Sequence, residues 1–209
     1  QGVELGNATE ELREFIEKAD IPCATTFLGL SAVPSNHPLN KGILGMHGNL
    51  GPNVMTNQCD LLIAVGMRFD DRVTGNLATY AKQAKIIHFD IDASEFNKNV
   101  KIDLGVLGNC KDTLKAVTAL IDETKHSSWS NGFEPYKEKE YNKVISKALY
   151  PTEGPLLMGE VVNKVTETSG NEAILVTDVG QNQLFACRYF KFTKPRSIVT
   201  SGGMGTMGF

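Results

Sequence analysis

Short apolar runs alternate with amphipathic stretches along most of the chain. Three of the runs, "DLLIAVG", "KIIHFDID" and "DLGVLG", are bounded by polar or glycine residues, which is typical of buried strands. The stretch "CKDTLKAVTALIDETK" that follows them has its apolar residues at helical spacing. Because buried strands that alternate with helices form parallel βαβ units with right-handed crossovers, the pattern predicts an α/β fold with a parallel sheet flanked by helices.

The segments around these runs carry local signals of their own. "NATEELREFIEKAD" predicts a helix with Asn7 as its N-cap and Glu10 completing a capping box. Residues 1–126 are therefore predicted to form one nearly complete α/β unit. Four further segments belong to this prediction: the strand "IPCATTF", a loop rich in Pro and Gly over residues 28–51, and the helices "GPNVMTNQ" and "NLATYAKQA".

The alternation breaks at "SSWSNGF", whose small and polar residues predict a domain boundary. The charged helix "EPYKEKEYNKVISKAL" that follows is typical of a solvated connector. From Pro151 the alternation resumes as helix, strand, helix and strand, and it leads into the glycine loop "SGGMGTMGF". We therefore predict three regions: a first domain over residues 1–126, a linker with a helix over 127–150, and the beginning of a second, truncated α/β unit over 151–209.

Charge and composition exclude several classes of partner. The net charge is −3 and Lys and Arg are scattered singly, so the chain has no basic stripe of the kind that binds nucleic acid. No apolar run approaches the ~20 residues that span a bilayer, and the first residues do not resemble a signal peptide. The four cysteines are far apart and form no CxxC pair, which argues against zinc and against a disulfide framework. We expect a cytoplasmic chain with reduced thiols, no metal site and no nucleic-acid or membrane partner.

Candidate ligand loops follow the predicted strands, because ligands bind at the carboxyl ends of parallel strands. The loop "GMRFDDR" offers Arg68 and Arg72 for phosphate groups, and its aspartates suit either a helix cap or a ribose contact. A solvated loop with internal salt bridges explains the same composition equally well. Asp90 and Asp92 also have two interpretations, a ribose contact or an N-cap and a surface charge. No GxGxxG fingerprint occurs in residues 1–126, which argues against an ordinary NAD-binding domain there.

His47 lies in the glycine-rich stretch "LGMHG". A lone histidine with no Ser or Cys placed as its nucleophile partner is more typical of a hydrogen-bonded contact than of a catalyst. Ligand contact by His47 stays open, and the cysteines are interpreted as small buried hydrophobic residues.

Five motifs, taken in order, resemble one enzyme family. They are "LGMHG", "GMRFDDRVTG", "HFDID", "TDVGQNQ" and "PRSIVTSGGMGTMGF". The ordered set strongly resembles the large catalytic subunit of acetolactate synthase (acetohydroxyacid synthase), and the similarity runs through all 209 residues. Oxalyl-CoA decarboxylase, glyoxylate carboligase and pyruvate oxidase share the architecture, but the second and fifth motifs resemble the synthase most closely.

The resemblance implies both architecture and reaction. Residues 1–126 would be the middle domain, of the DHS-like FAD/NAD-binding type, and residues 151–209 the N-terminal part of the thiamine-diphosphate-binding domain. The cofactors would be thiamine diphosphate, Mg²⁺ and FAD. The implied reaction is a transferase step of branched-chain amino acid biosynthesis, in which pyruvate loses CO₂ and its remaining two carbons join a second pyruvate or 2-ketobutyrate. The implied partners are further catalytic subunits in a homo-oligomer and, in some members, a regulatory small subunit.

By motif match, the resemblance also implies two sets of cofactor-binding residues. For FAD, Leu44, Gly45, Met46 and His47 would line the flavin and ribityl portion, Gly66, Met67, Arg68, Phe69, Asp70 and Arg72 the middle, and Asp90, Ile91, Asn109 and Cys110 the adenosine end. For thiamine diphosphate, Gly180, Gln181 and Asn182 would bind the diphosphate, and Gly205, Thr206 and Met207 the aminopyrimidine, with Met207 as an apolar support beneath the cofactor. A glycine loop lets backbone groups approach the ring that side chains would otherwise block.

Two positions depart from the family pattern. Asn109 and Cys110 stand where the family usually has Asp and a small apolar residue, and Asn182 stands where many relatives have His. An asparagine amide still forms hydrogen bonds at both places, but it does not titrate.

The resemblance further implies that essential parts lie outside these residues. The activating glutamate would belong to an N-terminal domain, and the Mg²⁺ ligands would follow Phe209. We therefore assign no catalytic residue, expect the first strand of the middle domain to be missing, and expect the chain alone to be inactive, with weak or no cofactor binding. Two alternatives stay open: another thiamine-diphosphate-dependent carboligase or decarboxylase, and a stand-alone nucleotide-binding module.

Overall fold

The strands of the protein pair in parallel, as the alternation of strands and helices predicts. A computed structural model describes residues 1–208, and Phe209, the last residue of the predicted glycine loop, lies outside the described residues. In chain order the strands are β1 (Cys23–Thr25), β2 (Asn40–Ile43), β3 (Leu61–Val65), β4 (Lys85–Asp90), β5 (Leu104–Leu107), β6 (Leu175–Val176) and β7 (Ile198–Val199). β1 pairs with β2, β3 to β5 form a three-stranded sheet in chain order, and β6 pairs with β7. The predicted α/β class is confirmed.

Helices occupy most of the segments between the strands. In chain order they are α1 (Gly2–Leu5), α2 (Thr9–Ala19), α3 (Leu50–Thr56), α4 (Asp71–Thr74), α5 (Cys110–Leu120), α6 (Ser127–Asn131), α7 (Glu134–Glu140), α8 (Ser146–Leu149), α9 (Met158–Thr168) and α10 (Gln181–Tyr189). A π-helical segment, Tyr141–Ile145, joins α7 to α8. Within residues 1–208, none of these helices is long and apolar enough to cross a membrane.

The largest hydrophobic core packs α2 against α5. Leu12, Phe15 and Ile16 recur at a spacing of three and four residues, so they share one face of α2 and are buried together. On α5, Leu114 is 0% exposed in the same cluster, which also contains Val33. Burial of a leucine side chain of this kind contributes about 1.5–3 kcal/mol to folding.

The predicted capping box at the start of α2 is wrong. The helix begins at Thr9 and Ala8 is its N-cap residue, without a side-chain hydrogen bond. Asn7 lies one residue earlier with φ of 51°, and its side-chain oxygen accepts a hydrogen bond of 2.6 Å from Arg196. The side-chain oxygen of Asn7, which the capping-box pattern assigns to an amide of α2, is therefore bound by Arg196, a residue far away in the sequence.

Two further local predictions fail for a similar reason. The stretch "NLATYAKQA" forms turns rather than a helix, because Tyr80 and Ala81 are buried with Phe69 and Ile86. The amide of Ala81 is satisfied by the side chain of Asn57 at 2.8 Å instead of by a helical carbonyl. The loop predicted over residues 28–51 contains β2, which pairs with β1.

Residues 127–150 pack on α3 on one side rather than being solvated all round. Phe133 is 8% exposed and lies next to Gly51 in α3, and the ammonium group of Lys41 lies 5.7 Å from its ring. Glu140 is also buried, at 8% exposure. Apart from Glu140, the charged residues between 134 and 147 are exposed on the outer face of this segment, while its inner face is part of the packed structure.

Candidate functional site

The carboxyl ends of β3, β4 and β5 bring three groups of the predicted cofactor-binding residues together. After β3, the amide of Gly66 donates to the carbonyl oxygen of Phe89 at 2.8 Å. After β5, the amide of Gly108 donates to the carbonyl oxygen of Asp90 at 2.9 Å. Gly66, Asp90 and Asn109, which follows Gly108, therefore lie at one edge of the sheet, where ligands of open parallel sheets bind.

A groove of about 340 Å³ lies between the loop Leu44–His47 and the loop around Arg72. The amide of Met46 donates to the carbonyl oxygen of Arg72 at 2.8 Å, so these two loops are joined through their backbones. Met46 is 62% exposed, and the guanidinium of Arg72 approaches its sulfur at 3.9 Å. An exposed apolar side chain beside a cation suits a ligand that carries both a flat ring and a phosphate.

Asn53 of α3 fixes the inner wall of this groove. Its side-chain oxygen accepts from the amide of Gly45 at 2.9 Å, and its side-chain nitrogen donates to the carbonyl of Gly45 at 2.9 Å. Asn53 is not among the candidate residues predicted from the sequence. The available signal is a polar side chain within the predicted helix "GPNVMTNQ", directly after the glycine-rich stretch.

Two of the predicted FAD residues have their side chains in the hydrophobic core. Phe69 is 2% exposed and packs edge to face on His88, with ring centroids 5.1 Å apart. Cys110 is 6% exposed, and burial raises the pKa of its thiol. A ligand can therefore reach these two residues only through their backbone.

His88 is a buried polar residue that the sequence analysis does not single out. It is 0% exposed, and its Nε2 lies 2.9 Å from the carbonyl oxygen of Met67 and 3.6 Å from Oδ2 of Asp90. Asp90 is 8% exposed, and its Oδ1 accepts from the amide of Asp92 at 3.0 Å. Since alternate residues of a strand share a face, the spacing within "HFDID" already places His88 and Asp90 on the same side of β4.

Three polar residues at this edge act as local caps. Asp70, Asp92 and Asn109 each accept a hydrogen bond from the amide two residues later, at 3.1, 2.9 and 2.9 Å. The bond from the Ser94 amide lowers the pKa of Asp92. Each cap uses one side-chain oxygen, so a ligand contact through the second oxygen, or through the amide nitrogen of Asn109, is compatible with the cap.

The predicted FAD residues with the most accessible side chains are the exposed ones. Ile91 is 71% exposed, and Met46, His47, Arg68 and Arg72 are exposed as well. Together they offer two cations, one histidine and two apolar groups. This mixture matches the phosphate and ring portions of a dinucleotide.

The second set of predicted residues lies where β6 and β7 end. Gly180–Asn182 form the start of α10, and the amide of Gly208 donates to Oδ1 of Asp178 at 3.0 Å, which joins the loop after β7 to the turn after β6. A Cβ added at Gly180 or Gly205 would meet nothing within 4 Å, and Met207 is 81% exposed. The backbone there is open to a ligand. Asp178 is not among the predicted contact residues, although "TDVGQNQ" contains it.

Hydrogen bonds of polar side chains connect the turn after β6 with the loop after β7. The hydroxyl of Thr177 donates to the hydroxyl oxygen of Thr200 at 2.8 Å, and the amide nitrogen of Gln183 donates to the same oxygen at 2.7 Å. The amide of Thr206 donates to the hydroxyl oxygen of Ser201 at 3.1 Å. The ends of β6, β7 and α10 are therefore connected independently of any ligand.

One arginine connects the two sets of residues. Arg188 of α10 donates through Nη1 to the carbonyl oxygens of His47 at 3.2 Å and of Gly48 at 3.1 Å. Its Nη2 forms an ion pair with Oε1 of Glu140. The helix that begins at Gly180–Asn182 is thus attached to the loop that contains His47.

Comparison with protein families identifies two matches. The family described as "Thiamine pyrophosphate enzyme, central domain" matches residues 1–117, and "Thiamine pyrophosphate enzyme, C-terminal TPP binding domain" matches residues 178–209. The matched ranges contain the FAD set and the thiamine diphosphate set of predicted residues, respectively.

Curated relatives match the chain over nearly its whole length. A probable acetolactate synthase large subunit from Methanocaldococcus jannaschii is 40% identical over 100% of this chain and 36% of its own length. An acetolactate synthase from Mycobacterium bovis is 40% identical over 100% of this chain and 34% of its own length. The chloroplastic acetolactate synthase 2 of Nicotiana tabacum is 38% identical over 97% of this chain and 31% of its own length. The predicted resemblance is confirmed, and the chain spans about a third of the length of these relatives.

Proposed function

Because this chain belongs to the thiamine pyrophosphate enzyme family, we propose that it is part of the large catalytic subunit of an acetolactate synthase. The observation that carries the proposal is the 40% identity to acetolactate synthases from an archaeon and a bacterium over the entire chain. The substrates are pyruvate and, as the alternative second substrate, 2-ketobutyrate. The product then enters branched-chain amino acid biosynthesis.

The proposed division of the chain is the one predicted from the sequence. Residues 1–126 form the FAD-binding middle domain, residues 127–150 the linker with its helices, and residues 151–209 the N-terminal part of the thiamine-diphosphate-binding domain. The matches to residues 1–117 and 178–209 support this division. A homo-oligomer of catalytic subunits, a regulatory small subunit and a cytoplasmic location complete the proposal.

FAD is proposed to bind at the groove and along the carboxyl ends of β3 to β5. The fit is chemical: Arg68 and Arg72 offer guanidinium groups to the diphosphate, and the exposed Met46 and Ile91 offer apolar contacts to the two ring systems. The carboxylate of Asp70 caps α4, and residues Asp71–Thr74 of this helix line one side of the groove. The groove volume of about 340 Å³ accommodates part of such a ligand, and the open strand edge accommodates the rest.

Thiamine diphosphate is proposed to bind at the ends of β6 and β7. Amides at the start of α10 suit its diphosphate, because helix N-termini carry unpaired N–H groups. The open backbone at Gly205 suits its aminopyrimidine, with Met207 as the apolar support. Mg²⁺ is proposed as the ion of the diphosphate, and no residue is assigned to it, since residues 1–208 contain no group of three or more His, Cys, Asp or Glu side chains that could hold a metal.

The roles of these residues are binding and orientation. Thiamine diphosphate, when bound, supplies the decarboxylation and carboligation chemistry itself. Gly205 and Thr206 would hold the ring through their backbone, and the side chain of Met207 would exclude water from one side of it. The arginines of the first set neutralise phosphate charge without taking part in proton transfer, because guanidinium groups stay protonated.

The activity test uses the protein expressed from the complete reading frame. With pyruvate, thiamine diphosphate, Mg²⁺ and FAD, we expect acetolactate to form, and we expect none when thiamine diphosphate is omitted. A mixture of pyruvate and 2-ketobutyrate is expected to yield both condensation products. Release of acetaldehyde without carbon–carbon bond formation would instead support another thiamine-dependent decarboxylase.

The flavin site is tested by titrating the same protein with FAD and following flavin fluorescence. Arg72→Gln is expected to weaken FAD binding about 10- to 100-fold, because a charge-assisted hydrogen bond contributes about 1.5–3 kcal/mol. Lys82→Gln removes an exposed positive charge from a nearby turn and serves as the matched control. Equal affinity of the two variants would show that Arg72 does not bind the cofactor.

A further inference from the structure

Arg188 is the centre of a buried polar cluster that neither cofactor set explains. Its side chain is 19% exposed and that of Glu140 is 9% exposed. Nη1 of Arg188 donates to the carbonyl oxygens of His47 and Gly48, and Nη2 donates to Glu140. One guanidinium group thus contacts both the loop Leu44–His47 and the linker helix α7.

Glu140 extends the cluster to the end of that loop. Its carboxylate accepts hydrogen bonds from the side-chain nitrogen of Asn49 at 3.3 Å and from the amide of Leu50 at 3.0 Å. The side-chain oxygen of Asn49 in turn accepts from the amide of Ile43 at 2.9 Å. The ion pair between Arg188 and Glu140 therefore holds the segment from Ile43 to Leu50. Arg188 binds the carbonyls in its middle, and Glu140 binds Asn49 and Leu50 at its end.

We propose that Arg188 is a positioning residue for residues 45–49, which we call the flavin loop. Arg188 lies on α10, the helix that starts at Gly180–Asn182, and it holds this loop through two backbone carbonyls and Glu140. The proposal rests on the proposed function, because it takes the loop to be part of the FAD site. It adds that the two cofactor regions share one rigid connection, so the position of α10 determines where Met46 lies in the groove and where the backbone of His47 lies next to it.

The physical reason is the geometry of the guanidinium group. Arginine presents several N–H donors in a fixed plane, so it can bind two carbonyl oxygens and a carboxylate at the same time, whereas lysine offers a single rotatable ammonium group. Breaking a buried ion pair leaves the partner charge uncompensated. The loop would then lose its outer support while keeping its inner support from Asn53 at Gly45.

The experiment compares four proteins expressed from the complete reading frame: the parent, Arg188→Met, Arg188→Lys and the control Arg196→Met. Arg196 also crosses between distant segments, donating to the carbonyl oxygen of Glu4 at 2.9 Å and to Asn7 at 2.6 Å, but it does not touch the flavin loop. The double variant Arg188→Met with Glu140→Gln removes both charges and is used if Arg188→Met does not fold.

Two measurements are made on each protein. The first is amide hydrogen exchange without cofactor at Gly48 and Asn49, whose amides donate to the carbonyls of Gly45 at 2.9 Å and Ile43 at 2.8 Å. We expect exchange to accelerate at least about tenfold in Arg188→Met, less in Arg188→Lys, and not in Arg196→Met. The second is FAD titration with the visible circular dichroism of bound flavin, where we expect about tenfold weaker binding and an altered spectrum for Arg188→Met only.

The outcomes separate this inference from the proposed function. Unchanged exchange at Gly48 and Asn49 in Arg188→Met, or in the double variant, overturns the positioning role whatever the cofactor does. Faster exchange with unchanged FAD affinity and spectrum overturns the role in the flavin site. Absence of FAD binding by the parent overturns the flavin site and this inference with it, even if acetolactate is still formed.

Discussion

Gly45→Ala places a methyl group where the two loops of the groove meet. The added Cβ would lie 2.5 Å from the carbonyl oxygen of Arg72 and 3.0 Å from Cα of Val73, and neither backbone atom can rotate away. Gly45 also has φ of 100°, which residues with a side chain rarely adopt. The dihedral strain costs about 1–3 kcal/mol. Displacement of the loop would in addition break the hydrogen bond from Met46 to Arg72, which contributes about 1 kcal/mol.

We therefore expect Gly45→Ala to lower the free energy of unfolding by about 2–4 kcal/mol. The assay is urea denaturation followed by far-UV circular dichroism, in which the midpoint falls while the slope stays constant. Gly75→Ala is the matched control, because Gly75 has φ of 59° but nothing within 4 Å of an added Cβ. It isolates dihedral strain from the clash. If Gly45→Ala costs no more than Gly75→Ala, the contact with Arg72 is not what requires glycine at this position.

Three further predictions test the core, the thiols and the second loop. Leu114→Ala in the core is expected to lower the free energy of unfolding by about 2–5 kcal/mol, measured by thermal denaturation. The control Leu120→Ala, on the same helix but 84% exposed, should change it by less than about 0.5 kcal/mol. Equal effects of the two substitutions would contradict the assigned core. Burial raises the pKa of the Cys187 thiol to about 12, so alkylation by iodoacetamide at pH 8 should be at least about a hundredfold slower than in urea. Because the raised pKa favours the neutral thiol in the folded state, its contribution to stability is complete below about pH 8.5 and declines above it; a denaturation midpoint that rises over this range would contradict that sign. Met207→Ala is expected to leave the free energy of unfolding unchanged, because the side chain is 81% exposed. It is expected to weaken thiamine diphosphate binding about tenfold, measured by calorimetry. A parallel loss of stability would show that Met207 packs in the protein itself.

Local periodicity of apolar residues correctly predicts the helices and strands that bury one face of their own. The helices α2 and α5 and the strands β3 to β5 all occur where apolar spacing indicates them, although each is shorter than the predicted segment. The reason is that a buried face must recur with the period of its own element, whatever it packs against. The order of the glycine-rich motifs likewise suffices for the resemblance that the relatives confirm.

Elements that depend on a distant partner are predicted poorly. β2 forms in a stretch rich in Pro and Gly because β1 offers it a parallel edge. Residues 76–84 do not form a helix, because Tyr80 is buried in a cluster with Ala64 of β3 and the side chain of Asn57 accepts the hydrogen bond of the Ala81 amide. In each case the local preference is weaker than the free energy gained from one long-range contact.

The candidate site shows the same division. The amino-acid sequence by itself determines which residue types stand in the loops after the strands, and so the chemistry that those loops can offer to a dinucleotide and to a diphosphate. Only the tertiary structure decides which of those side chains are available: Phe69 and Cys110 turn into the core, Asp90 turns towards His88, and Arg72 and Met46 face the groove. Tertiary structure alone also brings Arg188 to the carbonyls of His47 and Gly48. A hydrogen bond between residues that are 141 positions apart produces no periodic pattern in the sequence. It forms only when folding brings the donor and the acceptor within hydrogen-bond distance.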